Sequence, residues 1–174
     1  FPAALLGDLD FSFPEGTHAI GRLDKPSEGL LLLTTNKKIT KLLFQGAVPH
    51  RRSYLVQVRF KVSEEKLQEL RTGVTIQVDG GRYYTTPPCE ARFADPPVFP
   101  SPKPFPDYGE FTWLLLTITE GKYRQVRKMV AAIGHKCFRL IRVSIEDMEL
   151  GNLPPGGVRE VTEEDFFRLL KLEE

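Results

Sequence analysis

Only two of the 174 residues are cysteine, and they stand far apart, at Cys89 and Cys137. Neither sits in a Cys-x-x-Cys or Cys/His cluster, which argues against a zinc site or a disulfide framework and for a reducing compartment, the cytoplasm. The three histidines, His18, His50 and His135, are isolated and no His-Glu-x-x-His motif occurs, so no metal is expected. No apolar run approaches the roughly 20 residues that cross a bilayer, so no membrane partner is expected. There is no Walker loop, no Gly-x-Gly-x-x-Gly after a strand and no Gly-x-Ser-x-Gly elbow. Whatever chemistry the chain performs is expected to need no cofactor. It has no starting Met and no basic-then-apolar leader, and is expected to be a fragment or a processed form.

Acidic residues are missing from two long stretches. Between Gly29 and Ser63 there are none, while Lys37, Lys38, Lys41, Arg51, Arg52, Arg59 and Lys61 fall there. Between Gly121 and Ile145 there are again none, against Lys122, Arg124, Arg127, Lys128, Lys136, Arg139 and Arg142. The net charge of +1 hides this segregation. Two solvated surfaces would account for it. So would two basic walls facing a polyanion, because phosphate binding needs clustered cations rather than high net charge.

What is present fits one soluble domain with a mixed content of strands and helices: 41% of residues are hydrophobic and 27% charged. Strands are expected at His18–Leu23, Gly29–Thr34, Val74–Val78, Cys89–Phe93, Phe111–Thr119 and Cys137–Ile145. Ser53–Val62 alternates Tyr54, Val56, Val58 and Phe60 against Leu55, Gln57, Arg59 and Lys61, the pattern of a half-buried strand. Asn36 can cap a helix reaching Phe44, and Ser63 caps another that Gly73 stops. A helix is expected from Lys122 to Ile133 and a last one from Thr162 to Leu172. Residues 94–107 hold Pro96, Pro97, Pro100, Pro102, Pro104 and Pro106, too many for helix or central strand, and are read as an insertion loop. No regular βαβ repeat appears, so the fold class is α+β, with a mixed, mostly antiparallel sheet, flanking helices and a central cleft.

In the segment "GRLDKPSEGLLLLT", Asp24 is pinned between a polar turn and an apolar strand. On the helix from Lys122, Tyr123, Val126, Met129, Val130 and Ile133 share the apolar face at about 100° per residue. Arg127 falls at the edge of that face, where a guanidinium needs an acid. Asp24 is a candidate partner. A structural ion pair or a simple Asp turn at "DKPS" would explain the same residues.

"GRLDKPSEGLLLLT" resembles the central motif of pseudouridine synthases of the RsuA type, in which Gly-Arg-Leu-Asp precedes a Gly-Leu-rich strand. "RRSYLVQV" is similar to the family's tyrosine strand, and "EGKYRQVRKMVAAIGHKCFRLIRVSI" to its third motif. The spacing of the three, with "LQELRTGVTI" between them, is most similar to the RluE branch, whose members modify large-subunit ribosomal RNA. The resemblance runs from about His18 to Val161.

The resemblance implies roles residue by residue. Asp24 matches the catalytic aspartate, Tyr54 the tyrosine that packs on the target uracil, and Leu140 the aliphatic residue lining the base pocket. Arg127 matches the basic residue that pairs with the aspartate, and Arg22 one that holds RNA near the flipped nucleotide. It implies isomerisation of uridine to pseudouridine without metal or cofactor. The target would be flipped out of its stack. Lys122, Arg124, Lys128, Arg51 and Arg52 become candidate phosphate contacts. Arg139 and Arg142 alternate with Leu140 and are expected to face away from the pocket.

Two departures from the family pattern stand out. Relatives usually begin with a strand carrying Lys-Pro or Arg-Pro, whereas this chain starts at "FPAALLGDLDF"; that strand is absent or precedes the numbering. Many relatives also carry an S4 RNA-binding domain, and nothing of that length or basicity precedes Gly21. The chain is therefore expected to be one catalytic domain over residues 1–174, a monomer that selects RNA by itself. A noncatalytic RNA-binding or ribosome-assembly module on the same scaffold is the other class that fits. A metal-free hydrolase is opposed by the missing nucleophile–base pair.

Overall fold

The computed structural model describes residues 11–21, 23–25, 27–44, 49–98, 110–122 and 124–172. Arg22, Tyr123, residues 99–107 of the proline-rich insertion and the opening ten residues lie outside them.

The elements run β1 (His18–Ile20), β2 (Glu28–Gly29), β3 (Leu32–Thr34), α1 (Ile39–Phe44), β4 (Arg52–Arg59), α2 (Glu64–Thr72), β5 (Thr75–Gln77), β6 (Tyr83–Thr85), β7 (Glu90–Phe93), β8 (Phe111–Ile118), α3 (Gln125–Ala132), β9 (Cys137–Ile145), β10 (Met148–Glu149) and α4 (Glu163–Leu169). The main sheet has the order β10-β9-β4-β8-β7, antiparallel throughout, with β2 added in parallel to β9. The α+β class and the mostly antiparallel sheet are as expected.

β4 differs from its expected half-buried state. Leu55, Val56, Gln57 and Val58 are all buried, because β4 lies between β8 and β9 with both faces covered. On one face Val56, Val58, Leu114, Leu116 and Leu140 pack against Leu67 and Leu70 of α2 and Val126, Met129 and Val130 of α3. On the other, Leu55, Ile141 and Ile145 pack against Ile20, Leu30, Leu32, Ile39 and Leu43 and against Phe166 and Leu170 of α4. Two apolar layers thus clamp one sheet.

Several boundaries moved for local reasons. The run expected as one strand from Gly29 to Thr34 splits, since Glu28–Gly29 pairs with β9 while Leu32–Thr34 pairs with β1. α3 starts at Gln125, three residues later than expected, because Arg124 takes a left-handed conformation (φ 52°) that ends the preceding turn. α4 stops at Leu169, and Lys171 has a positive φ of 55°. β6 went unread in the sequence, although Asp79-Gly80-Gly81 is a hairpin-turn signal between it and β5.

Candidate active site

Asp24 follows β1 in a turn that the chain closes on itself. The Ser27 amide donates to the Asp24 carbonyl at 2.6 Å, as a β-turn requires. The turn feeds directly into β2, which lies on β9 with Glu28 opposite Ile141 and Gly29 opposite Arg142. Glu28 receives a bidentate ion pair from Arg139, at 3.0 Å from Nε and 2.9 Å from Nη2. Asp24, half-buried, is thereby carried to the edge of the main sheet, just ahead of the β2–β9 pairing.

The floor beneath it comes from β4 and β9. Tyr54 sits opposite Arg142 and Val56 opposite Leu140, past an irregularity between Ser53 and Tyr54. Strand alternation puts Tyr54, Val56, Leu140 and Arg142 on the face that α3 covers. Leu140 is buried in that layer and Tyr54 packs at its margin, half-exposed. The expectation that Arg142 turns away from the pocket is therefore corrected: two residues separate it from Leu140, so the period of two returns it to the same side. Arg139, one residue away, does face the other layer, where it meets Glu28 and lies 5.6 Å from the Trp113 ring centre.

Arg142 is 4% exposed, and its Nε donates to the Leu30 carbonyl at 2.9 Å. Burial pulls its pKa down, while Tyr54, through charge and hydrogen bonding, and then Asp24 favour the charged form. One guanidinium thus senses both the tyrosine and the aspartate. Arg52 stands beside it, half-buried; desolvation lowers its pKa, Tyr54 and Glu120 act against that, and Arg142 acts with it.

α3 holds the Asp24 turn from above. Arg124 Nη1 donates to the Lys25 carbonyl at 2.8 Å, and Arg127 Nη2 to Ser27 Oγ at 3.4 Å. The expected ion pair between Arg127 and Asp24 does not close directly; Arg127 grips the turn at Ser27 instead, with its other arm 3.7 Å from Cys137 Sγ. Burial pushes the Cys137 thiol up to about 11, against the opposing pull of Arg127 and Arg124, which keeps it an uncharged neighbour.

Tyr54 and Leu140 share one face of the sheet, while Arg127 and Arg124 hold the turn that carries Asp24. The remaining cations lie elsewhere. Arg51 is bound to Glu90 on the surface. Lys128 lines an open groove between α3 and β5. Lys122 is exposed, with its ammonium 5.0 Å from the Tyr84 ring centre. Arg22 lies outside the described residues. Arg142 was read as facing away, although its parity with Leu140 could have shown otherwise; Ser27 and Glu120 were not singled out from the sequence, and nothing local marks either. Glu120 accepts hydrogen bonds from Tyr84 and Gln125 next to a cavity of about 340 Å³ lined in part by Arg51, Cys89, Thr117 and Met129. Among the described residues no group of three or more His, Cys, Asp or Glu could hold a metal ion.

The arrangement offers one carboxylate, a ring of guanidiniums, a flat aromatic face and an aliphatic wall.

The family described as RNA pseudouridylate synthase matches residues 9–132. "Ribosomal large subunit pseudouridine synthase E" of Vibrio parahaemolyticus is 37% identical over 155 residues, which cover 87% of this chain and 63% of that protein. The protein of the same description from Xanthomonas axonopodis pv. citri is 40% identical over 154 residues, 84% of this chain and 76% of that one. A crystal structure described as a pseudouridylate synthase superposes with a TM-score of 0.73 at 29% identity, covering 91% of this chain and 63% of the other. The chain thus spans somewhat under two thirds of the Vibrio relative and of the solved structure.

Proposed function

The chain belongs to the RNA pseudouridylate synthase family, and from that premise we propose that it isomerises a specific uridine of large-subunit ribosomal RNA to pseudouridine, with Asp24 as the catalytic residue. The observation that carries the proposal is the closed Asp24–Ser27 turn, held by Arg124 at the Lys25 carbonyl and by Arg127 at the Ser27 hydroxyl.

The reaction breaks the N1–C1′ bond, turns the uracil, joins C5 to C1′ and releases the proton from C5. Atoms are conserved and nothing is oxidised, so one carboxylate suffices. Asp24 acts either by attack at C1′ or by removing a proton at C2′ to give a glycal. Both routes use the carboxylate of Asp24, beside the turn that Arg124 and Arg127 hold. Tyr54 gives the base a flat surface to lie on, and Leu140 closes the wall behind it while it turns. Extruding the nucleotide costs a few kcal/mol, least where it is already unpaired. Arg124 and Lys122, with Arg22, Arg52 and Lys128, are the candidate contacts to the flanking backbone; Arg51, paired with Glu90, is set apart from them. No helix among the described residues is long and apolar enough to cross a membrane; RNA is the proposed partner, the cytoplasm the proposed setting, and one catalytic domain acting as a single copy the proposed form.

The decisive test is Asp24→Asn, assayed by tritium release from a 23S ribosomal RNA transcript labelled at uridine C5. Product is expected to vanish while RNA binding stays within the wild-type range. Turnover persisting in that variant would overturn the assignment.

A further inference from the structure

Arg142 is the most deeply buried charge near Asp24, at 4% exposure. Its Nη2 is shut off from solvent and has no hydrogen-bond partner. A buried donor left unmade costs about 1–3 kcal/mol, and a desolvated cation more. A stabilising role in packing alone would be served better by a leucine, as the neighbouring positions of the same layer are. The guanidinium nevertheless connects three separate segments. It lies opposite Tyr54 in the β4–β9 register, donates to the Leu30 carbonyl where the chain leaves β2, and is close enough to Asp24 for the carboxylate to favour its charge.

We propose that Arg142 is a positioning residue for the isomerisation: it sets the Tyr54 ring and the Asp24 turn at a fixed separation, the gap into which the extruded uracil fits. The proposal rests on the functional reading above and deepens it. Arg127 cannot perform this task, since its guanidinium is engaged with Ser27 and Cys137 on the α3 side. Arg124 is likewise held by Lys25. Arg52 and Glu120 are the other charges at this end of the sheet, and Arg52 repels Arg142. The fixed gap matters because a misplacement of about 1 Å at a reacting centre can cost about 10²-fold in rate.

The test uses the full chain and the same labelled transcript, with kcat and KM measured separately. Arg142→Gln is expected to lower kcat by about 10²-fold with KM and RNA affinity unchanged. Arg142→Lys, which keeps the charge without the fork, is expected to recover roughly a tenth of wild-type kcat. Tyr54→Phe supplies the readout that a packing role would not move. It should lower kcat in the wild-type chain and have no further effect in Arg142→Gln, because both changes loosen the same cross-strand contact between the Tyr54 ring and residue 142. Folded Arg142→Gln with wild-type kcat, or losses that simply multiply with those of Tyr54→Phe, would overturn the proposal. Should Arg142→Gln not fold, Arg142→Lys decides: reduced kcat at an unchanged melting temperature supports positioning, and undiminished kcat refutes it. Asp24→Asn run in parallel separates the two claims, since its failure to abolish product sinks the functional reading, whereas an inactive Asp24→Asn beside a fully active Arg142→Lys sinks only this one.

Discussion

At Gly29 the backbone holds a φ of 109° while β2 runs alongside β9, and an added Cβ would overlap the carbonyl oxygen of Arg142. Both conditions exclude a side chain: the conformation because L-residues rarely adopt it, the overlap because the obstacle is backbone and cannot swing aside. Gly29→Ala is expected to lower stability by about 1–3 kcal/mol and to lower turnover further than that, since β2 and with it the Asp24 turn must lift from the sheet. Thermal denaturation and tritium release under folding conditions check the two parts. A fully active, undiminished Gly29→Ala would show that the turn does not depend on the β2–β9 contact. At this scale much was readable beforehand. Asp24 stood out as an acid where an acid is costly, while Tyr54 and Leu140 were marked by their resemblance to the family's motifs. Arg142 was equally readable, since its parity with Leu140 was there to be counted. Ser27 was not, because a hydroxyl in a proline turn is ordinary until an arginine from another element is seen to reach it.

Among elements, β2 is the smallest and the most consequential. Two residues cannot hold a strand by backbone hydrogen bonds alone, and the bidentate Arg139–Glu28 pair supplies the rest. Its partners are 111 residues apart in sequence, so no local pattern could foretell it; the same separation hid how the Gly-Leu run is shared between two sheets. The helices were more legible, since caps such as Ser63 and Thr162 act within one turn, yet the start of α3 was set by Arg124 bending back to reach Lys25. The side chains of Arg139 and Glu28 are 7% and 18% exposed, so removing one partner strands a nearly desolvated charge. Arg139→Met is expected to cost about 3 kcal/mol, and adding Glu28→Leu to recover most of the loss. Chemical denaturation of the single and double variants measures this directly. If the single variant is as stable as wild type, the pair is not what fastens β2.

For the whole molecule the question is how a chain of net charge +1 takes hold of a polyanion. The two acid-free stretches suggested a basic wall each, and folding sorts their cations into different duties. Arg51 is answered by Glu90 and Arg139 by Glu28, while Arg142 is sealed beneath the site. Arg124 remains beside the Asp24 turn, with Lys122 two residues before it in the chain: Lys122 is exposed beside the Tyr84 ring, and Arg124 spends its hydrogen bond on a neutral carbonyl, which leaves its charge uncompensated. Each phosphate contact adds about 0.7 to the slope of log K against log salt on single-stranded RNA. Neutralising Lys122 and Arg124 together should therefore flatten that slope by about 1.4 between roughly 50 and 200 mM salt. Replacing Arg51 and Glu90 jointly by glutamine should leave it unchanged, because that pair presents no net charge to the RNA. Filter binding of the ribosomal transcript across the salt series distinguishes the cases. Equal slopes for all three proteins would place the RNA on a different face from the one Asp24 opens onto, and would detach the basic stretches from the active site.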